Sequence, residues 1–161
     1  MEFKDAPQML EWMHDETVIE HLQANFAEKN EHDCERFIEK SWSDDENIHL
    51  AIVNDQDEYM GTVSLKHVNR EMKRAEFAIV VSKKAMGKGY SSWGMQQMIH
   101  RGFTEYHLKT VYWCVGKENI RARKFYSKNG YKEIAAQKLY SIPGYSEEQI
   151  QEYIWFSVTK E

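Results

Sequence analysis

The apolar positions change period several times along the chain, and those changes divide it into elements. Asp5 followed by Pro7 reads as a helix start, since proline suits the first helical turn. Met9, Leu10, Met13 and Val18 then form a helical stripe. Residues 31–42 give a second helix, with Phe37, Ile38 and Trp42 on its apolar side, and the polar link 24–30 is expected to be irregular. Over 47–53 the period drops to two, with Ile48, Leu50 and Ile52 alternating against Asn47, His49 and Ala51. The Asn- and Asp-rich stretch 54–58 is a turn. A second strand follows over 59–68, another turn over 69–72, and a third strand over 74–82 whose second half is apolar on both faces. Three strands on short turns make an antiparallel meander.

The pattern then switches. Residues 83–89 form a glycine-containing loop. Residues 90–107 read as a long helix, with Met95, Met98, Ile99, Gly102, Phe103 and Tyr106 at helical spacing. A short apolar strand follows over 110–115, then a helix over 119–128 stopped by Asn129-Gly130. Residues 131–139 read as a strand, Ile142-Pro143-Gly144 as a break, 146–151 as a short helix and 153–159 as a last strand. Helices joined to strands on one sheet imply a mixed α/β or α+β fold, here one domain over residues 1–161.

Composition narrows the chemistry. A length of 161 residues suits one domain, and 42% hydrophobic with 13% aromatic residues argues against disorder. The net charge of −5 disfavours a nucleic-acid or anionic-membrane binder, so an anionic ligand needs a local basic patch. Cys34 and Cys114 lack CxxC spacing, so neither a disulfide framework nor a zinc site is expected, and no other metal. That usage fits a reducing cytoplasm. The first residues lack the apolar core of a signal peptide, and no stretch reaches the ~18 apolar residues of a membrane span.

The loop supplies the local basic patch. Gly87 and Gly89 stand where a helix must begin, and Lys83, Lys84 and Lys88 add three positive charges in an acidic chain. The first N–H groups of a helix lack internal partners, and glycine lets the backbone approach a ligand closely, so a diphosphate suits this turn. A Walker A loop is excluded, because the earlier glycine and the Ser/Thr after lysine are missing. A dinucleotide fingerprint is excluded too, because position 92 is serine and antiparallel strands precede the loop.

Lys84-Ala85-Met86-Gly87-Lys88-Gly89 resembles the Gln/Arg-x-x-Gly-x-Gly/Ala signature of the GCN5-related N-acetyltransferase (GNAT) family, with Lys84 in place of the usual Gln/Arg. A second stretch, Asn119 to Tyr126 followed by Asn129-Gly130-Tyr131, resembles that family's Asn-x-x-Ala-x-x-x-Tyr-x-x-x-Gly-Phe/Tyr. The likeness covers about residues 5–159 and is similar to the subgroup of ribosomal-protein and nucleotide-amino-sugar acetyltransferases. It implies a mostly antiparallel central sheet splayed between strands four and five, with helices on both faces. The family usually opens with a full strand, and here only Met1–Lys4 precede the first helix, so that strand is short or missing.

The resemblance further implies acetyl-CoA as acyl donor and direct transfer to a primary amine of a sugar, a protein N-terminus or a small molecule. A non-catalytic acyl-CoA-binding domain of the same fold is the alternative. Tyr126 is assigned to protonate or hydrogen-bond the leaving thiolate. Glu76 is the candidate base, with His67 a weaker rival. The backbone of Val80 and Val81 is expected to pair with the pantetheine arm. Lys84, Met86, Gly87, Lys88, Gly89, Tyr90 and Ser91 would cradle the diphosphate. Asn119 would cap its helix or touch pantetheine, and Arg121, Arg123 and Lys124 are candidates for the 3′-phosphate. Acceptor choice is expected from the first two helices and the link around residues 14–37, plus residues 138–149, a region offering Trp12, His14, His21, Phe26, Tyr140 and Tyr145. A homodimer is left open.

Overall fold

The computed structural model describes residues 1–22, 24–139 and 141–160. Strands β1 (Ile48–Val53), β2 (Tyr59–Asn69) and β3 (Arg74–Val81) form the antiparallel meander. β4 (Thr110–Gly116) runs parallel to β3, while β6 (Tyr153–Thr159) is antiparallel to β4 and to the two-residue β5 (Glu133–Ile134). The sheet order is β1-β2-β3-β4-β6-β5. Its parallel pair follows from the connection. Helix α4 (Tyr90–Thr104) crosses back between β3 and β4, which returns the chain in the same direction.

Both faces of the sheet are covered. Val63, Leu65, Phe77, Val111 and Trp113 pack against Met95, Met98 and Ile99 of α4. Tyr126 of α5 (Ile120–Lys128) joins the same core. On the opposite face α1 (Ala6–Met13) and α3 (Glu31–Ser41) gather Met9, Trp12, Met13, Cys34 and Ile38 around Tyr59. The Trp12 indole N–H donates to the Tyr59 hydroxyl at 3.0 Å, and that hydroxyl meets Thr62 Oγ1 at 2.6 Å, so the buried polar groups are paired. Among the described residues no helix is long and apolar enough to cross a membrane.

No strand precedes α1, as expected, and Phe3–Asp5 is a 3-10 turn. The elements depart from the sequence reading in three places. The first helix stops at Met13, since Asp15 accepts from the Thr17 N–H and starts the separate α2 (Glu16–Ile19), which takes Val18 out of the stripe. α4 ends at Thr104 rather than at 107, and His107 (φ +53) turns the chain toward β4. The strand expected over 131–139 shrinks to β5, and Ala136–Leu139 is a 3-10 turn. The reason lies in Arg74, whose buried guanidinium donates to the carbonyls of Leu139 and Ser141 and pulls this segment off the sheet edge and over its face. The short helix α6 (Glu147–Glu152), capped by Ser146, then leads into β6.

Candidate active site

β3 and β4 are paired only at Arg74↔Thr110, Ala75↔Val111 and Glu76↔Tyr112. Beyond Glu76 they part, so the sheet is splayed where the resemblance expected it. β3 stays paired with β2 up to Val81, and the Ser82 N–H donates to the Met60 carbonyl at 2.8 Å. In an antiparallel pair the hydrogen-bonded positions alternate, so Ser82, Val80 and Ala78 turn their backbone groups to β2. The N–H and C=O of Ile79 and Val81 therefore face the gap. Of the two valines expected to offer backbone to a ligand, Val81 turns its backbone groups to the gap. Val80 exchanges its hydrogen bonds with Thr62 and contributes its side chain to the cavity wall. Gly61 supports this edge, because a Cβ there would lie 2.4 Å from the Val80 carbonyl oxygen.

The loop after β3 opens on the 3-10 turn Lys83–Ala85, anchored by buried Ala85. Lys83, Lys84, Gly87, Lys88 and Gly89 are exposed, and Met86, Tyr90 and Ser91 are half-buried. Gly89 starts α4 at φ +90, a left-handed conformation that favours glycine. No side chain caps this helix, whereas Asn30 caps α3 and Asn119 caps α5. A Cβ at Gly87 or Gly89 would meet nothing within 4 Å. The helix therefore begins with unmet N–H groups, a positive dipole end and open space, beside three lysines. These features fit a diphosphate.

α5 begins with Asn119, whose side chain accepts from the Ala122 N–H at 3.0 Å and also lines the cavity. The capping role expected of it is present, and the residue stands at the cavity wall. Arg121 and Lys124 are exposed, while Arg123 donates to the Lys117 carbonyl and sits 3.8 Å from Glu133. Arg123 is thus tied to its own chain. Tyr126 is 8% exposed, packs on Trp113 and Phe156, and lines the cavity. Burial, with the neighbouring Cys114 and Tyr131, raises its phenol above the ordinary value, so at neutral pH it keeps its proton.

A cavity of about 640 Å³ runs from the splay across the sheet face to the helical layer, and Glu76 and Tyr126 both line it. Glu76 is 2% exposed. Its Oε1 accepts from the Tyr145 hydroxyl at 2.5 Å and lies 3.3 Å from Lys66 Nζ. His67 Nε2 is 3.8 Å from Oε2. Lys66 and His67 are consecutive and would normally face opposite sides of β2. An irregular register between Lys66 and Asn69, with His67 at φ +50, turns both toward Glu76. Trp12, His21, Phe26 and Tyr145 of the expected acceptor region line the cavity as well. His14 instead hydrogen-bonds the Lys29 carbonyl at 2.8 Å, and Tyr140 lies outside the described residues.

The family profile described as an acetyltransferase (GNAT) domain matches residues 1–132. The chain belongs to the GNAT acetyltransferases. Among curated relatives, the spermidine N(1)-acetyltransferase of Escherichia coli K12 is 34% identical over 102 residues, covering 60% of this chain and 55% of that protein. The match thus spans about half the length of that relative. An uncharacterized N-acetyltransferase of Bacillus licheniformis is 28% identical over 127 residues, 77% of this chain and 71% of that one. The crystal structure of the Vibrio cholerae spermidine N-acetyltransferase, solved with CoA and spermine, superposes with a TM-score of 0.78 at 18% identity, covering 99% of this chain and 92% of that one. At that identity the likeness speaks for the fold.

Three residues of this GNAT site escaped the sequence reading. Arg74 and Cys114 had no functional reading, and Tyr145 figured only as one aromatic among several. Cys114 donates to the Tyr145 hydroxyl at 3.4 Å, and burial, its first cause, pushes its thiol up to about 11. A signal was present in Arg74, a cation opening a strand that is otherwise apolar apart from Glu76. Such a buried cation needs hydrogen-bond partners, and here the carbonyls of Leu139 and Ser141 supply them.

Proposed function

We propose that this chain transfers an acetyl group from acetyl-CoA directly to a primary amine, and that its acceptor is a polyamine. The observation that carries the transferase reading is the splay. It exposes the backbone of Ile79 and Val81 beside an uncapped helix start, and one cavity links that edge to both Tyr126 and Glu76. Pantetheine amides would pair with the Ile79 and Val81 backbone. The amides of residues 87–91 and the lysines at 83, 84 and 88 would hold the diphosphate, with Arg121 and Lys124 placed for the 3′-phosphate. The acyl donor supplies an activated thioester. Tyr126 gives a proton to the departing sulfur, and the Glu76 carboxylate receives the proton lost by the amine.

Charge and kinship support the polyamine. Residues 1–46 carry fourteen Asp or Glu against four Lys or Arg, whereas residues 83–132 carry eleven Lys or Arg against two Glu. The helical layer over the acceptor side thus attracts a polycation, and the donor side attracts an anionic coenzyme. A nucleotide sugar would bring a second diphosphate toward the acidic half, which disfavours that acceptor. Two of the relatives described above are spermidine acetyltransferases.

Thiol release from acetyl-CoA, measured with spermidine, spermine, an amino-sugar nucleotide and a peptide N-terminus, tests both parts. Fastest release with the polyamines is the expected result. Preference for the sugar or peptide would overturn the acceptor and keep the enzyme. CoA binding without turnover on any amine would make the chain an acyl-CoA binder.

A further inference from the structure

We infer that the acceptor amine gives up its proton to the Tyr145 hydroxyl, which relays it to Glu76; this rests on the acetyltransferase reading above. The carboxylate is closed to direct contact. Oε1 holds the Tyr145 hydroxyl at 2.5 Å and Lys66 at 3.3 Å. Oε2 is buried with no hydrogen-bond partner, and the nearby cation site is His67, also of the protein. The side chain is only 3% exposed, so Oε2, though unpaired, is shut away from an incoming nitrogen, and Oε1 is already taken. Tyr145 lines the cavity and stands against the acid. Its hydroxyl donates to Glu76 and accepts from Cys114, which leaves one phenol lone pair for an N–H.

The segment that carries Tyr145 is fastened so as to keep this contact. Arg74 donates to the carbonyls of Leu139 and Ser141. Leu139 and Ile142 are buried with Tyr112 and Trp155. The Tyr145 ring stands edge-on to Trp155 at 5.1 Å and to Tyr153 at 5.9 Å. Gly144 passes so near His67 that a Cβ would sit 3.3 Å from its Nε2. Together these contacts hold the strap so that the Tyr145 hydroxyl stays against Glu76.

The proton count closes. As the amine nitrogen bonds the acyl carbon and the carbon–sulfur bond breaks, the nitrogen's proton passes to Tyr145 Oη. The proton already on Oη passes to Glu76 Oε1. The sulfur takes its proton from Tyr126, which recovers one from solvent, and once the product leaves Glu76 releases its proton through Tyr145 to solvent. Cys114 does not attack in place of the amine, because its raised pKa keeps it a thiol at neutral pH.

The experiment is a double-mutant cycle on kcat with Tyr145→Phe, Glu76→Gln and the pair. Each single change is expected to cost ~10²-fold, and the pair no more than the worse single, because both lie on one path. Isotope-edited infrared spectra of the ligand-free protein should show the Glu76 carboxylate stretch shifting in Tyr145→Phe. Tyr145→3-fluorotyrosine keeps the ring's shape and should change kcat as phenol acidity rises. Losses that multiply, an unshifted carboxylate band, or a kcat indifferent to Tyr145→Phe or fluorination would each overturn the relay. If the wild-type protein turns over no amine, the acetyltransferase reading itself falls. Turnover by wild type with an undiminished Tyr145→Phe overturns the relay alone.

Discussion

The donor side of the cavity is made from neighbours in sequence: the end of β3, the loop at 83–89 and the first turn of α4. The acceptor side is made from strangers. Glu76 meets Tyr145 across 69 positions, Arg74 meets Leu139 across 65, and α1 meets Tyr59 across 47. The two sides also recognise by different means. On the donor side the groups on offer are backbone amides, set by where a strand ends and a helix begins. On the acceptor side they are side chains, set by tertiary packing. A coenzyme common to a family can be bound by backbone alone, and an acceptor that varies cannot. The donor side should therefore tolerate side-chain change and resist backbone change, and the acceptor side the reverse.

Tyr126 marks the border between the two, and replacing it should produce the largest effect. Tyr126→Phe keeps the aromatic packing on Trp113 and Phe156 and removes only the hydroxyl. Turnover should fall ~10²-fold, the usual worth of one positioned acid. CoA affinity by calorimetry should stay unchanged, since the proposed coenzyme contacts are backbone amides and surface cations rather than the Tyr126 hydroxyl. An unchanged kcat would remove Tyr126 from the chemistry. A parallel loss of affinity would place it on the donor side.

Gly89 tests the backbone rule at a smaller scale. Asparagine tolerates a left-handed φ, so Gly89→Asn keeps the φ of +90 at modest cost while filling the space in front of the helix. CoA affinity should drop ~10-fold through crowding of the diphosphate, with kcat at saturating coenzyme nearly preserved. Wild-type affinity in this variant would sink the cradle. Lys84→Ala, a side-chain change in the same loop, should cost less than Gly89→Asn if backbone dominates.

This contrast also explains what could be read from the sequence. The meander and the strand–loop–helix unit at β3–α4 follow from local period and spacing, and they carried over to the structure with boundary shifts of a few residues. The segment at 131–139 did not. Its residues can form a strand, but a buried Arg74 far away in sequence claims its carbonyls. For the same reason the Tyr145–Glu76 contact was invisible, whereas Glu76 itself stood out beside the loop. Val80 and Val81 show a finer limit. The strand was legible, yet which residue turns its backbone to the gap depends on the phase of the β2 ladder, which Ser82 and Met60 set.

Charge gives the smallest effect and tests the acceptor side by its own means. Asp33 lines the cavity, and its carboxyl lies below the usual range because the Asn30 N–H and Arg36 favour its charged form. It is therefore ionised at any working pH, though Arg36 shares its charge. Asp33→Asn should raise KM for spermidine about two-fold and leave kcat and KM for acetyl-CoA in place, because one partly exposed charge contributes little in water. Raising salt from about 0.05 M to about 0.5 M should lower kcat/KM for spermidine more than for a monoamine of similar size. The steeper slope belongs to the acceptor with more charges facing the acidic layer. Equal slopes for the two amines would mean that this layer does not steer the acceptor, and its acidity would then need another cause.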